Sequence, residues 1–228
     1  MCNFLSAVIT KDQILFDYWD DSHENLIQKH HLDDRSINPQ FVRVELLNKN
    51  DDIYDQNVDN WDLKIDQDYI PDWFDKDKSE IKMRKILKKV HHKVFLININ
   101  INELTINIRY CKNSTVNVMR RNSTVNVMRG NSTVNEMWEN STVNEMWENS
   151  TVNEMLENST VNVMRRNSTV NVMRGNSTVN EMRGNSTVKI YSKYSQIKSQ
   201  KDNSIIVNLS DNNQQIILAD KNWNIKYK

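Results

Sequence analysis

Residues 131–157 read NSTVNEMWE-NSTVNEMWE-NSTVNEMLE, one nine-residue word written three times over. Outward from there, the opening Asn-Ser-Thr-Val recurs at Asn113, Asn122, Asn131, Asn140, Asn149, Asn158, Asn167, Asn176 and Asn185 without an insertion. Within the word, position four is Val, position five Asn, position six Val or Glu and position seven Met, while positions eight and nine vary. Downstream, NSIIVNLSD from Asn203 and NNQQIILAD from Asn212 keep the phase as the letters change, and LTINIRYCK from Leu104 fits it loosely. A strict short period marks a repeat architecture, in which each unit buries its apolar side only against its neighbours.

The chemistry of the word decides between helix and strand. Ser-Thr-Val-Asn is poor helix material and good strand material, and nine residues match neither a heptad nor an eleven-residue helical repeat. The repeat therefore predicts a β-solenoid whose strands stack at about 4.8 Å. One unit per coil gives a contour of only about 30 Å at ~3.3 Å per residue, too tight to enclose a Val and a Met from each unit. Two units per coil is the better geometry. The thirteen nine-residue units from Leu104 to Asp220 then make about six coils and roughly 30 Å of rod.

The invariant apolar columns, Val116, Val125, Val134 and Met119, Met128, Met137, are three residues apart and would face opposite sides of a straight strand. Both turn inward only if the chain bends at Asn117 and the residue after it. That bend puts Ser114 inward beside Val116 and Thr115 outward. The exchange of Val118 for Glu136 at the equivalent place agrees, because a core site does not tolerate a carboxylate. Asn at the start of each unit suits a turn and can stack into a hydrogen-bonded ladder.

Before the repeat the pattern changes. FLSAVIT at 4–10 and QILFD at 13–17 read as two short strands joined by a Lys-Asp turn. Asp21-Ser22-His23-Glu24 has the form of a capping box with Asp21 as N-cap, opening a short helix with Leu26 and Ile27 on its apolar face. FVRVELL at 41–47 and Trp61, Leu63, Ile65 alternate as strands, and Pro71-Asp72 introduces a second helix bearing Met83, Ile86, Leu87 and Val90. VFLINININ at 94–102 alternates and reads as a strand feeding the solenoid. The expected organisation is a small α+β domain over 1–93, an all-β single-stranded solenoid over 94–220 with two units per coil, and a capping segment over 221–228. That segment carries Trp223 and Tyr227, and Trp223 would cover the last core layer.

Composition bounds the function. The 228 residues carry 30 basic and 30 acidic side chains, so no net field steers the chain toward nucleic acid or an anionic membrane. Gly at 3 and Pro at 2 are too scarce for a flexible or proline-rich linker. Two Cys in this length do not make a disulfide scaffold. No run reaches the roughly 18 apolar residues of a membrane span. The first residues lack the basic and apolar regions of a secretory signal, so an intracellular location (host cytoplasm or virion, if the gene is viral) is the default expectation.

Met1-Cys2-Asn3-Phe4-Leu5-Ser6-Ala7, then Asp21-Ser22-His23-Glu24, then Pro71-Asp72-Trp73-Phe74, then trailing Ser-x-Val-x-x-Met units occur here in one order. In this the chain resembles a family of phage and bacterial proteins that join such an N-terminal domain to near-identical nonapeptide units. It departs from that pattern by placing Asn where Gly follows the Val. The resemblance implies a viral or phage-derived gene product and no particular activity.

Two functional readings follow. In the first, the chain is a non-enzymatic binding or scaffold protein that needs no cofactor. Position eight carries it: Arg120, Arg129, Trp138, Trp147, Leu156, Arg165, Arg174 and Arg183 form a Trp-centred outward row flanked by charge, the composition of a partner-binding surface. Its plainer counterpart is a solvated ladder of Arg stacked on Trp. The partner would be a macromolecule, a protein rather than nucleic acid or membrane, with self-association as a variant of the same idea. The alternative is a small thiol-dependent hydrolase or transferase built on Cys2, exposed by removal of Met1, with His23 and Glu24 polarising the thiol. Against it, a Cys at the mouth of a first strand is usually just buried. Metal binding through His23 and His30, seven apart on one helix, with Cys2 or an Asp as third ligand is the weaker reading, because His doublets at helix ends are favoured by the helix dipole. The repeat lacks the Gly and Asp of calcium-binding nonapeptides. Its nine Asn-Ser-Thr acceptors for glycosylation read more simply as ladder chemistry, and one Thr column per unit is a thin basis for ice binding.

Overall fold

The computed structural model describes residues 5–210 and 214–219, and the backbone of 221–226. Two units meet in the chain between Lys93 and Val94.

The first unit is built on an antiparallel sheet of β1 (Ser6–Thr10), β2 (Ile14–Leu15), β3 (Phe41–Asn48) and β4 (Trp61–Ile65), in the order β2-β1-β3-β4. Thr10 and Gln13 close the Lys-Asp turn: the Thr10 N–H donates to the Gln13 carbonyl at 2.9 Å, and the Gln13 N–H to Thr10 Oγ1 at 3.2 Å. Helix α1 (His23–Lys29) places Leu26 and Ile27 in a buried cluster with Val8, Leu15 and Phe41. Its N-cap is Ser22 and not Asp21. Ser22 Oγ accepts from the Asn25 N–H at 3.2 Å and donates to Glu24 at 3.1 Å, while the Asp21 carboxylate is engaged by the Leu5 N–H at 3.3 Å. The cap therefore lies one residue later than expected, because Asp21 is already committed to the chain leading into β1, and the reciprocal bond of a capping box is not made: the Ser22 N–H donates to Asp20 Oδ1 at 2.9 Å.

Helix α2 (Lys76–Val94) starts later than Pro71-Asp72 suggested. Pro71 instead heads a tight turn closed by the Phe74 N–H at 2.9 Å, and Asp75 caps the helix, its carboxylate accepting from the Lys78 N–H at 3.0 Å. Met83, Leu87 and Val90 are buried as their spacing predicts. Arg84 donates to the Trp61 carbonyl from Nε at 3.0 Å and Nη2 at 2.8 Å, and the Glu80 carboxylate accepts from the Leu63 N–H at 3.2 Å, which ties α2 to β4.

His91, in the last turn of α2, is buried and bonds the Ile53 carbonyl through Nε2 at 3.0 Å. Burial pulls its pKa below the usual 6.5, outweighing the Ile53 bond and the nearby Asp55 and Asp52. The unfolded chain then takes up this proton first as the pH falls. The stability contributed by the neutral ring is complete above about pH 6.5 and declines as the pH drops through the lower folded value. A His91→Gln variant is expected to lose less melting temperature between about pH 7 and pH 5 than the native chain. Equal losses in thermal melts would place the acid sensitivity elsewhere.

The second unit is the solenoid, confirmed over 95–208 as about six turns. It opens with β5 (Phe95–Ile97), β6 (Asn100–Leu104) and β7 (Ile108–Lys112). The eight complete words supply β8 to β15: Thr115–Met119, Thr124–Arg129, Thr133–Met137, Thr142–Met146, Thr151–Met155, Thr160–Met164, Thr169–Met173 and Thr178–Met182. Then come β16 (Thr187–Ile190), β17 (Gln196–Ile197) and β18 (Ile205–Asn208). Even-numbered strands from β6 to β18 make one parallel sheet and odd-numbered strands from β5 to β17 the other. Thr133 pairs with Thr151, Val134 with Val152 and Met137 with Met155, a register of two words per coil.

The fourth-position Val and seventh-position Met of every complete word are fully buried in one continuous core, with the second-position Ser beside them. The pairing passes from Val134 to Glu136 without Asn135 in each ladder of this kind, which is the expected bend at position five. Corners form where the Ser141 N–H donates to the Trp138 carbonyl at 3.1 Å, and likewise at Ser150 and Trp147 at 3.2 Å. Position nine takes a positive φ in each complete word, including 58° at Glu139, 61° at Glu148 and 64° at Gly184. A positive φ at the second turn residue alone is the sign pattern of a type II′ turn, and it accounts for Gly recurring there.

Two expectations change at the ends. The run from Val94 is not one strand: Asn98, at φ 54°, turns the chain so that β5 and β6 lie in different sheets. Gln215–Leu218, here β19, keeps the nine-residue phase yet pairs antiparallel with β18, and β20 (Lys221–Lys226) pairs antiparallel with β19. Parallel stacking thus stops at Asn208, and a meander closes one sheet. The Trp223 side chain, expected to act as a lid, and Tyr227 lie outside the described residues.

Candidate functional site

The outward rows of the solenoid are ladders held by their own chemistry. The fifth-position Asn side chains link coil to coil, from Asn135 Nδ2 to Asn117 Oδ1 at 2.9 Å, Asn153 to Asn135 at 2.8 Å and Asn171 to Asn153 at 2.9 Å. A second such ladder runs through Asn126, Asn144, Asn162 and Asn180 at 2.5–2.8 Å. The first-position Asn residues, where the sequence suggested a ladder, also stack but at 3.3–3.4 Å. The stronger row is thus the one at the bend, where the backbone leaves the pairing register and the amide lies along the stacking axis. Its signal in the sequence was the invariance of position five.

Position eight divides into two rows, because neighbouring words lie in different sheets. Arg120, Trp138, Leu156 and Arg174 follow β8, β10, β12 and β14; Arg129, Trp147, Arg165 and Arg183 follow β9, β11, β13 and β15. The single Trp-centred row read from the sequence is two rows with one Trp each. Trp147 is the better supported. Arg129 and Arg165 lie over its ring at 5.2 and 4.7 Å from the centroid, and its Nε1 donates to Glu145 at 2.6 Å. Arg165 Nε stands 3.7 Å from the same Glu145 carboxylate. Trp138 donates to Glu136 at 2.7 Å beneath Arg120 at 5.5 Å, and Arg174 pairs with Glu154 at 3.4 Å. Toward the end of the solenoid, hydrogen bonds from Arg183 at 2.9 Å and Lys201 at 2.5 Å lower the Glu181 carboxyl to about 2. Both Trp side chains are half-buried.

Of the thiol constellation read from the sequence, the described residues include His23 and Glu24. Cys2 lies outside the described residues. His23 is buried with Nε2 on the Val44 carbonyl at 3.0 Å, whereas Glu24 is exposed and serves Ser22. The other cysteine, Cys111, occupies the Met column opposite Met128, and burial pushes its thiol up to about 11, leaving almost no thiolate near neutrality. His30 and His31 follow the end of α1, and His91 and His92 lie in the last turn of α2, as the helix-end reading holds. What no spacing suggested is that His23 meets Glu45 of β3 and Asp66 just beyond β4, one ligand atom from each lying within 4.8 Å of the others. The three residues are far apart in the chain, and only the fold brings them together.

Among the described residues, no helix is long and apolar enough to cross a membrane. No protein-family model, curated protein or solved structure matches the chain. The fold itself defines its class, a two-sheeted β-solenoid joined to a small α/β unit.

Proposed function

We propose that the chain is a non-enzymatic scaffold whose solenoid presents the position-eight rows to a partner protein. The observation that carries this reading is Trp147 clamped between Arg129 and Arg165 and anchored through Glu145. An aromatic fixed in this way has little side-chain entropy left to lose on binding. Trp and Arg are also the residue types that dominate the energetics of protein interfaces. Two rows, one along each sheet, let a single rod engage partners on two sides, and a balanced net charge keeps recognition local instead of steering it at long range.

The test is affinity capture with the intact chain and with a Trp147→Ser, Arg165→Gln variant matched to it in melting temperature. A protein held by the native chain and bound at least tenfold more weakly by the variant supports the reading. Undiminished binding by the variant removes the position-eight rows from it, and a native chain that holds no protein counts against the scaffold altogether.

A further inference from the structure

We propose that His23, Glu45 and Asp66 form a binding site for one divalent first-row transition cation of the zinc type. Three elements converge there: the first residue of α1, the central strand β3 and the residue following β4. A carbonyl oxygen only accepts, so the bond from His23 Nε2 to the Val44 carbonyl at 3.0 Å places a proton on Nε2. A metal-ligating imidazole binds through its unprotonated nitrogen, and with the proton on Nε2 that nitrogen is Nδ1, on the side of the carboxylates, the outer-shell orientation that metal-ligating histidines use.

The spacing of the three ligand atoms leaves room for a shared ion. His23 Nδ1 lies 3.7 Å from Asp66 Oδ2, beyond hydrogen-bonding reach. Metal–ligand bonds of about 2.0–2.2 Å put neighbouring ligand atoms of a tetrahedral ion roughly 3.4 Å apart, so a small inward movement completes the geometry. The third ligand atom, from Glu45, lies within 4.8 Å of both.

Burial shapes the site. His23 is 1% and Glu45 3% exposed, whereas the Asp66 side chain is 45% exposed, so the set has two inner ligands and one at the mouth. Solvent would complete the coordination on the Asp66 side. Lys64, cross-strand from Glu45, has its Nζ 3.9 Å from Asp66 Oδ1, the oxygen other than the one facing His23. His23 and Glu45 have further interactions within the chain, so the cation would join a set already held in place. One imidazole with two carboxylates suits zinc or manganese better than the soft ions that thiolates select.

The metal-free intact chain is titrated with Zn²⁺, and separately with Co²⁺ as a spectroscopic stand-in. Saturation at one ion per chain with a visible cobalt band is expected. Asp66→Asn and His23→Gln should each weaken binding at least tenfold, and a His30→Gln, His31→Gln double variant should leave it unchanged. Because Asp66 is half-exposed, its variant should melt like the native chain without metal, which separates ligand loss from misfolding. Failure to saturate at one ion, undiminished binding by Asp66→Asn, or loss confined to the His30, His31 variant would each overturn the site.

Discussion

Val125→Asp is expected to cost the solenoid about 4 kcal/mol or more, a fall of roughly 8–16 °C in melting temperature for a chain of this size. Val125 is fully buried, stacked between Ile108 and Val143 in the unbroken core. A carboxylate there has only apolar side chains and the second-position serines for company. A neutral hydroxyl cannot balance a full buried charge, so the ion would have to be neutralised or hydrated by opening the coil. Glu145→Gln is the matching control. Its side chain lies at the surface, and the amide oxygen can still accept from Trp147. The variant gives up only a 3.7 Å attraction to Arg165 that solvent screens, and a change within about 0.5 kcal/mol is expected. Thermal melts in which the two variants fall together would mean that the inward and outward columns are misassigned.

That contrast also shows why so much of the solenoid was legible in the linear sequence. Val at position four, Met at position seven and a Val/Glu exchange at position six state the inside and outside of one coil, and the period copies that statement down the chain. The contour of nine residues ruled out one word per coil, and the 18-residue register agrees. The separation of Trp138 from Trp147 follows from the same arithmetic, since an offset of nine residues is half a coil, yet reading position eight as a single column merged them. Where the repeat decays, local pattern lost its authority. Ile-Asn alternation after Val94 is as compatible with a corner at Asn98 as with one long strand. The phase of NNQQIILAD is equally compatible with an antiparallel return.

In the first unit the strands and both helices were readable because each is a local pattern of apolar spacing. The position of the first cap was not, since it depends on Asp21 bonding Leu5 from a distant part of the chain. The cluster of His23, Glu45 and Asp66 was hidden for a related reason. Glu45 alternates with Val44 and Leu46 as any strand residue does, and nothing near it in the sequence points to residue 23 or 66. Sites made by tertiary convergence have no linear signature, whereas ladders made by repetition have little else.

The ends of the solenoid should govern its behaviour more than its length does. Removing residues 140–157 deletes one 18-residue coil, after which Thr160 can follow Thr124 in the seven-stranded sheet and Thr169 can follow Thr133 in the other with letters and register unchanged. The shortened chain is expected to fold, stay soluble and lose about 4.8 Å of stack. It gives up the half-buried Trp147 and one core layer, but exposes no new edge. Truncation after Lys193 does the opposite. It removes β17 and β18 together with the antiparallel β19 and β20, and leaves β15 and β16 as bare parallel edges above Val179, Met182 and Val188, all fully buried in the complete chain. Backbone donors and acceptors and an apolar layer would then face solvent on a surface that matches its own copies in register, a template for edge-to-edge pairing. The truncated chain is therefore expected to form its solenoid and associate with itself, in a concentration-dependent way visible by size-exclusion chromatography and light scattering. A monodisperse truncation beside an aggregated internal deletion would show that the turns of the middle coils, and not the reversal of the chain after Asn208, keep the stack from growing.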